Sequence, residues 1–186
     1  NSYRREKVNQ SHWIEAYLKA LEFWSSRLKQ RKISSIFFGG GTPSLLDPNF
    51  VELLLQKTDN LWGITNDCEV SIEANPNSVS DIKFQTLRNV GVNRVSVGVQ
   101  ALNNKDLNNL GRDHDKNQAI RALQIVEKWF NNYNLDFIYG RQYQCASDWS
   151  DELSKIISLE APHLSLYQLT IEENTNFYKL FKRDLL

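Results

Sequence analysis

Apolar positions along this chain follow two periods in turn, and the alternation predicts helices and strands that succeed one another. Over residues 11–31 the apolar side chains recur every three or four positions, which predicts a helix with one apolar face. Short apolar, aromatic and β-branched runs predict strands at 33–38, 69–75, 94–100, 135–139 and 164–169. Helical spacing returns at 48–55, 78–90, 103–110, 117–130, 148–159 and 175–186.

The order of these elements predicts an α/β fold with a parallel sheet. Asp47 followed by Pro48 is typical of a helix start, and Gly91 and Gly111 are placed to end helices. Strands that alternate with helices form βαβ units with right-handed crossovers. Both a (β/α) barrel and a doubly wound open sheet agree with this order. No internal repeat divides the chain, so we expect one domain over residues 1–186.

A run of three glycines is the most informative stretch of the sequence. Gly39, Gly40 and Gly41 follow the predicted strand at 33–38 and lead into Thr42 and Pro43. Glycines permit positive φ and leave backbone N–H groups open to a ligand. The run matches neither the P-loop, since no lysine follows, nor the dinucleotide fingerprint. It indicates a backbone cradle for a ligand, against the plainer interpretation of a tight turn from strand to helix.

Polar residues stand at or near the carboxyl end of almost every predicted strand, which is where parallel α/β folds bind ligands. The candidate binding residues are Gly40, Gly41, Thr42, Glu73, Gln100, Arg112 and Asp136. Together they predict a site for a ligand with hydroxyl, amino and carboxylate groups. Structural alternatives exist for three of them: Glu73 as the partner of a neighbouring arginine, Arg112 as a helix cap, and Asp136 as a buried acceptor.

Composition and charge narrow the function classes. The chain has 22 basic and 22 acidic residues and no basic stripe, so we expect no nucleic-acid partner. No apolar stretch approaches the length of a membrane span and no signal peptide opens the sequence, which predicts a cytoplasmic protein. Cys68 and Cys145 lie far apart and the three histidines are scattered, so no metal ligands are predicted. The absence of methionine, even at position 1, predicts a fragment, a processed product or the product of a rearranged gene.

Six segments of the chain resemble radical SAM proteins related to oxygen-independent coproporphyrinogen III oxidase. They lie in family order at 36–46, 69–76, 91–100, 110–115, 135–140 and 163–175. The sequences of residues 91–100 and 163–172 are similar to those of the HemW-like branch, whose members are haem chaperones. The resemblance implies a partial (β/α)6 barrel that binds S-adenosylmethionine across its open mouth.

The resemblance also implies a role for each candidate residue. Residues 40–42 would contact the methionine moiety through backbone groups, and Glu73 and Gln100 would serve the sugar and neighbouring polar groups. Arg112 would pair with the carboxylate, which suits a guanidinium, and Asp136 would be a further polar contact.

Three departures from the family qualify these expectations. The family's C-x-x-x-C-x-x-C loop, which holds a 4Fe–4S cluster, precedes residues like those at 1–3, so we expect the cluster ligands and the first barrel strand to be missing. Cys68 and Cys145 do not replace them. The family's C-terminal domain is likewise expected to be absent. At 140–145 the chain reads GRQYQC where the family has a GLPGQT-like turn, which predicts a loosely constrained loop.

These residues lead to three hypotheses on function. The first is a haem chaperone that binds haem or a porphyrin and passes haem to an unknown acceptor protein, its full-length parent carrying S-adenosylmethionine and a 4Fe–4S cluster. The second is the oxidase that forms protoporphyrinogen IX. The third is an inactive remnant of such a protein, and the chain alone is expected to lack catalysis.

Overall fold

The computed structural model describes residues 8–28 and 31–184, and its centre is a sheet of five parallel strands. The strands are β1 (Ile33–Phe38), β2 (Ile64–Ala74), β3 (Arg94–Gln100), β4 (Tyr133–Tyr139) and β5 (His163–Gln168). Each pairs with the next strand in sequence, so the order is β1-β2-β3-β4-β5. A doubly wound sheet requires a reversal of strand order. The sheet instead curls as a half-barrel, which confirms the barrel prediction and excludes the doubly wound alternative.

Helices connect the strands and cover the convex side of the sheet. They are α1 (Gln10–Ser25), α2 (Pro48–Trp62), α3 (Asp81–Asn89), α4 (Asn104–Asn109), α5 (Lys116–Trp129), α6 (Ala146–Ile157) and α7 (Asn176–Phe181). Asp47 caps α2 as predicted, its side chain accepting from the amide of Asn49 at 2.9 Å. Helix α1 ends earlier than predicted. Predictions for residues 1–3, 29–30 and 185–186 lie outside the described residues.

Strand boundaries agree with the sequence where the strand is apolar and differ where it is polar. Strands β1 and β3 begin and end as predicted. Strand β2 begins at Ile64 rather than Glu69, because Ile64 pairs with Ile33 before a register shift. Strand β4 begins at Tyr133 rather than Leu135. Its additional residue Asn134 is buried, so a polar side chain occupies an interior position that apolar periodicity does not detect.

The two faces of the sheet have different chemistry. Successive side chains of a strand point to opposite faces. In β3 the valines Val95, Val97 and Val99 join the apolar core under the helices, whereas Ser96 and Gly98 face the concave side. The core also contains Ile72, Phe84, Leu87, Leu123, Val126, Phe130, Leu135, Phe137 and Ile156. The part of the concave face formed by β3 is therefore polar, and it ends at the carboxyl edge of the strands. No described helix is long and apolar enough to cross a membrane.

Candidate functional site

The predicted binding residues meet at one open cleft on the concave face, with a volume of about 220 Å³. The cleft is lined by Gly41, Thr42, Pro43, Glu73, Ala74, Asn75, Ser96, Gly98, Gln100, Arg112 and Asp136. Six of the seven predicted residues are in this lining. The seventh, Gly40, adjoins it through a hydrogen bond to Glu73. The volume of the cleft is below the roughly 300–1,000 Å³ of typical small-molecule pockets.

The glycine loop after β1 forms one side of the cleft with bare backbone. Gly40 has φ +113, a conformation that side chains rarely adopt, and its amide donates to Glu73 Oε2 at 3.0 Å. A Cβ added at Gly40 or Gly41 would meet no atom within 4 Å, so both residues border open space. The loop is fixed at its far end, where the buried hydroxyls of Ser44 and Ser78 lie 2.5 Å apart.

Arg112 enters the cleft from the segment that follows α4. Its Nη2 donates to Asn75 Oδ1 and, at 3.4 Å, to the carbonyl oxygen of Gly98. Its Nε is buried and has no partner among the described residues. Burial lowers the pKa of the Arg112 guanidinium. These side-chain bonds reach across to β2 and β3, so the helix-cap alternative does not describe Arg112.

Asp136 lies on β4 at the floor of the cleft. Its carboxylate accepts from Ser96 Oγ at 3.0 and 3.1 Å and from Asn134 Nδ2 at 2.5 Å. Burial raises the pKa of Asp136, the charge of Glu73 raises it further, and these hydrogen bonds oppose the increase. Asp136 is thus a buried acceptor, as its structural alternative proposed, and it also lines the cleft.

Gln100 reaches the cleft through a tight turn at the end of β3. Its φ is +70, and the amide of Ala101 donates to the carbonyl of Val99 at 2.9 Å, which is the bond of a γ-turn centred on Gln100. The pairing of β3 with β4 shifts register at the same point. A non-glycine residue held in a sparsely populated conformation costs about 1–3 kcal/mol.

Sequence reasoning did not include several residues that support the site. Ser96 and Asn134 hold the carboxylate of Asp136. Asn75 stands with Glu73 at the end of a predicted strand, and the structure adds its hydrogen bond to Arg112. The alternation in β3 contains a signal for Ser96, because that residue lies two positions from Gly98 and four from Gln100 on the same face. Nothing in the sequence indicates that Asn75 pairs with Arg112, since the two are far apart along the chain.

The prediction of a loosely constrained loop at 140–145 is wrong. Arg141 is buried, with a side chain 4% exposed, and it pairs with Asp106 at 2.8 Å and with Glu152. Gln144 Oε1 accepts from the amides of Gly140 at 2.8 Å and Arg141 at 3.3 Å. Charged and amide side chains therefore fix the loop in place of the family's proline and glycine.

The donor atoms of this chain do not suit an iron–sulfur cluster. Such a cluster needs several thiolates in close array. The sequence has two cysteines, of which Cys68 is buried and Cys145 exposed. Across residues 8–28 and 31–184, no group of three or more His, Cys, Asp or Glu side chains is arranged to hold a metal ion.

Comparisons with known proteins agree on one superfamily. Residues 5–151 match the family model described as the radical SAM superfamily. A relative named heme chaperone HemW from Buchnera aphidicola (strain Sg) is 37% identical over 171 residues, covering 92% of this chain and 46% of the relative. The protein of that name from Escherichia coli (strain K12) is 36% identical over 172 residues, with coverage of 92% and 46%. The chain thus spans about half the length of the curated relatives it matches.

A solved structure extends the likeness to three dimensions. Coproporphyrinogen III oxidase (HemN) from Escherichia coli, which its authors describe as a radical SAM enzyme, superposes with a TM-score of 0.73 at 28% identity. The superposition covers 88% of this chain and 39% of that one.

Proposed function

We propose a function from one premise: this chain belongs to the radical SAM superfamily, in its HemN/HemW-like branch. In our proposal it provides the S-adenosylmethionine-binding wall of a haem chaperone. The single observation that supports this most strongly is the convergence of the predicted residues on one cleft, from three separate strand ends, the middle of β4 and a helix-following loop.

The chemistry of the cleft suits S-adenosylmethionine. The buried Nε of Arg112 has no partner within residues 8–28 and 31–184, and an unsatisfied buried donor is costly, so an incoming carboxylate would stabilise it. Glu73 and Asp136 supply carboxylate oxygens for amino and hydroxyl groups, and the open backbone at Gly41 lets a ligand lie close. When bound, the ligand would bring a positively charged sulfonium next to these two carboxylates.

The proposal assigns no radical step to this chain. The chain's own thiols do not suit a 4Fe–4S cluster, so its residues bind and orient the ligand and exclude water from its polar groups. A cluster, and with it any chemistry on S-adenosylmethionine, belongs in this proposal to a longer protein of the same family. The extent of the domain, residues 1–186, and the absence of the family's C-terminal domain stay predictions.

Haem or a porphyrin is the proposed partner, with an acceptor protein of unknown identity. Relatives named heme chaperone HemW are 35–37% identical to this chain, whereas the superposed oxidase is 28% identical, which favours the chaperone over the oxidase. A cytoplasmic location stays a prediction, since one relative at 32% identity is named as mitochondrial.

Binding of S-adenosylmethionine tests the cleft directly. We expect isothermal titration calorimetry to detect saturable binding of S-adenosylmethionine and of S-adenosylhomocysteine by the chain. Arg112→Gln should weaken it about 10- to 100-fold, the range for losing a charge-assisted hydrogen bond. Arg121→Gln, at an exposed position on α5, is the matched control and should bind normally. Equal binding by both variants would contradict the assignment of Arg112.

Haem titration separates the three hypotheses on function. Binding of one equivalent of haem, followed by its Soret absorbance, without conversion of coproporphyrinogen III supports the chaperone. Conversion of coproporphyrinogen III, measured with a longer protein of the same family that carries the cluster, supports the oxidase. Absence of both activities, together with absence of S-adenosylmethionine binding, supports the remnant and overturns the proposal.

A further inference from the structure

A buried group of charged side chains lies behind the cleft, outside its lining. Arg141, Asp106 and Glu152 form this group, which we name the ionic clamp, and their side chains are 4%, 19% and 8% exposed. Asp106 is on α4, Arg141 follows β4, and Glu152 is on α6. The clamp therefore joins the connection between β3 and β4, which carries Asp106, to the connection between β4 and β5, which carries Arg141 and Glu152.

The guanidinium of Arg141 spans the clamp and the strand ends. Its Nη2 donates to Asp106 at 2.8 Å and to Glu152. Its Nη1 donates to the carbonyl of Ile138 at 2.6 Å and to the carbonyl of Gln100 at 3.4 Å. The planar fork of arginine makes these contacts together, which the single ammonium of a lysine does not reproduce.

Glu152 completes the hold on the same segment. One of its oxygens pairs with Arg141, and the other accepts from the amide of Leu102 at 2.8 Å. The carbonyl of Gln100 and the amide of Leu102 are thus both tied to one buried ion pair. These two groups flank the γ-turn that carries Gln100 at φ +70.

We propose that Arg141 and Glu152 are positioning residues that hold the turn at Gln100 and so set the shape of the cleft where Gln100 lines it. Positive φ disfavours any residue with a Cβ, so this turn needs support from its surroundings. The clamp gives that support from behind the sheet, and no clamp residue lines the cleft. The inference deepens the proposed function and rests on it for the identity of the ligand.

Two measurements test the proposal without depending on one another. The first is amide hydrogen exchange, followed by NMR, at Ala101 and Leu102 in the parent chain and in Arg141→Lys. We expect exchange at these two amides to rise about tenfold or more, while amides of the core strands change much less, because the opening is local. Arg94→Lys, a partly buried arginine at the opposite end of β3, is the matched control and should leave both amides protected.

The second measurement is a double-mutant cycle on S-adenosylmethionine affinity with Arg141→Lys and Gln100→Ala. If Arg141 acts through Gln100, the double variant binds as Gln100→Ala alone does, while each single variant binds at least about fivefold more weakly than the parent. If the losses of binding free energy in the two single variants add up in the double variant, Arg141 has only a structural role. Should Arg141→Lys fail to fold, Glu152→Gln replaces it, since it removes the charge and keeps an acceptor for Leu102.

The two measurements also separate this inference from the proposed function. If the parent chain does not bind S-adenosylmethionine, the proposed function is wrong. Hydrogen exchange at Ala101 and Leu102 then still tests whether the clamp holds the turn at Gln100. Unchanged exchange at both amides in Arg141→Lys overturns the clamp whatever the ligand.

Discussion

Two edges of the cleft place backbone at a ligand surface by opposite means. After β1, Gly40 takes φ +113, an added Cβ would meet no atom within 4 Å, and its amide donates to Glu73. After β3, Gln100 takes φ +70 although it carries a side chain, and buried charges hold the segment that follows. The first edge uses a residue that adopts the conformation freely, and the second uses surroundings that enforce it.

The two edges differ in how much support each needs from the rest of the molecule. Glycine needs no support, so the β1 edge can remain open to solvent and to a ligand. The β3 edge gains an amide side chain in the cleft, but it depends on Arg141, Asp106 and Glu152 from other elements. We therefore expect the β3 edge to be the more sensitive of the two to substitution, and the predictions below test that order.

The largest expected effect comes from removing the centre of the ionic clamp. Arg141→Leu, which introduces the apolar residue of the family's turn, leaves the carboxylates of Asp106 and Glu152 buried without their cation. Breaking a buried ion pair from one side costs about 3–5 kcal/mol. We expect the free energy of unfolding, measured by urea denaturation, to fall by that amount.

A surface arginine provides the control for this loss. Arg121→Leu, on the exposed side of α5, should change the free energy of unfolding by no more than about 0.5 kcal/mol. If Arg141→Leu and Arg121→Leu change the free energy of unfolding equally little, the β3 edge does not depend on the clamp. The comparison of the two edges would then be wrong.

A smaller effect is expected at the glycine edge. Gly40→Ala forces a Cβ into positive φ, and since no atom lies within 4 Å the cost is that of the backbone alone, about 1–2 kcal/mol. Gly41→Ala, also in open space but without positive φ, should raise stability by about 0.5 kcal/mol by restricting the unfolded chain. Urea denaturation of both variants checks the opposite signs. If both variants lower the free energy of unfolding by the same amount, the loop needs glycine for a reason other than positive φ.

The sequence revealed the glycine edge and Gln100 itself, but not the ion pairs that hold the segment after Gln100, and the reason is physical. Three adjacent glycines after an apolar strand are a local signal, so Gly40 and its neighbours could be predicted, as could the parallel strands. The local pattern left the order of the strands open between a barrel and a doubly wound sheet, and only the family resemblance implied the barrel. The pairing of Arg141 with Asp106 and Glu152 joins residues from three elements, and no local pattern records it. The early start of β4 was missed for a related reason, because the buried Asn134 is satisfied by polar partners on β3 and β5.

The carboxylate of Asp136, on the strand next to the β3 edge, should give the protein a pH dependence of known sign. The pKa of Asp136 in the folded protein is raised by burial and then by the charge of Glu73, above the ordinary value near 3.9 of the unfolded chain. A raised pKa means that the folded state holds the proton more tightly. Asp136 therefore contributes stability that is fully present below about pH 3.9 and is lost as the pH rises through its folded pKa.

Thermal unfolding over a pH series checks this sign. Relative to the parent, Asp136→Asn should gain stability as the pH rises from below about 4, because the amide does not ionise. Asp81→Asn is the opposite case: hydrogen bonds from Lys128 and Trp129 lower the pKa of Asp81, so this variant should lose stability relative to the parent over the same rise. In Glu73→Gln, NMR titration should find a lower pKa for Asp136. An unchanged pKa of Asp136 would mean that the charge of Glu73 does not act on this carboxylate.

The smallest expected effect extends the comparison to the loop that carries Arg141. Tyr143 has φ +62 and is 80% exposed, at the position where the family's turn has glycine. Tyr143→Gly relieves the conformational strain but adds freedom to the unfolded chain, so we expect a net gain of about 0.5–1 kcal/mol in the free energy of unfolding. Tyr143→Ala keeps the Cβ at positive φ and should give no such gain. If alanine stabilises the protein as much as glycine does, the tyrosine side chain causes the strain, and positive φ at this loop has no measurable cost.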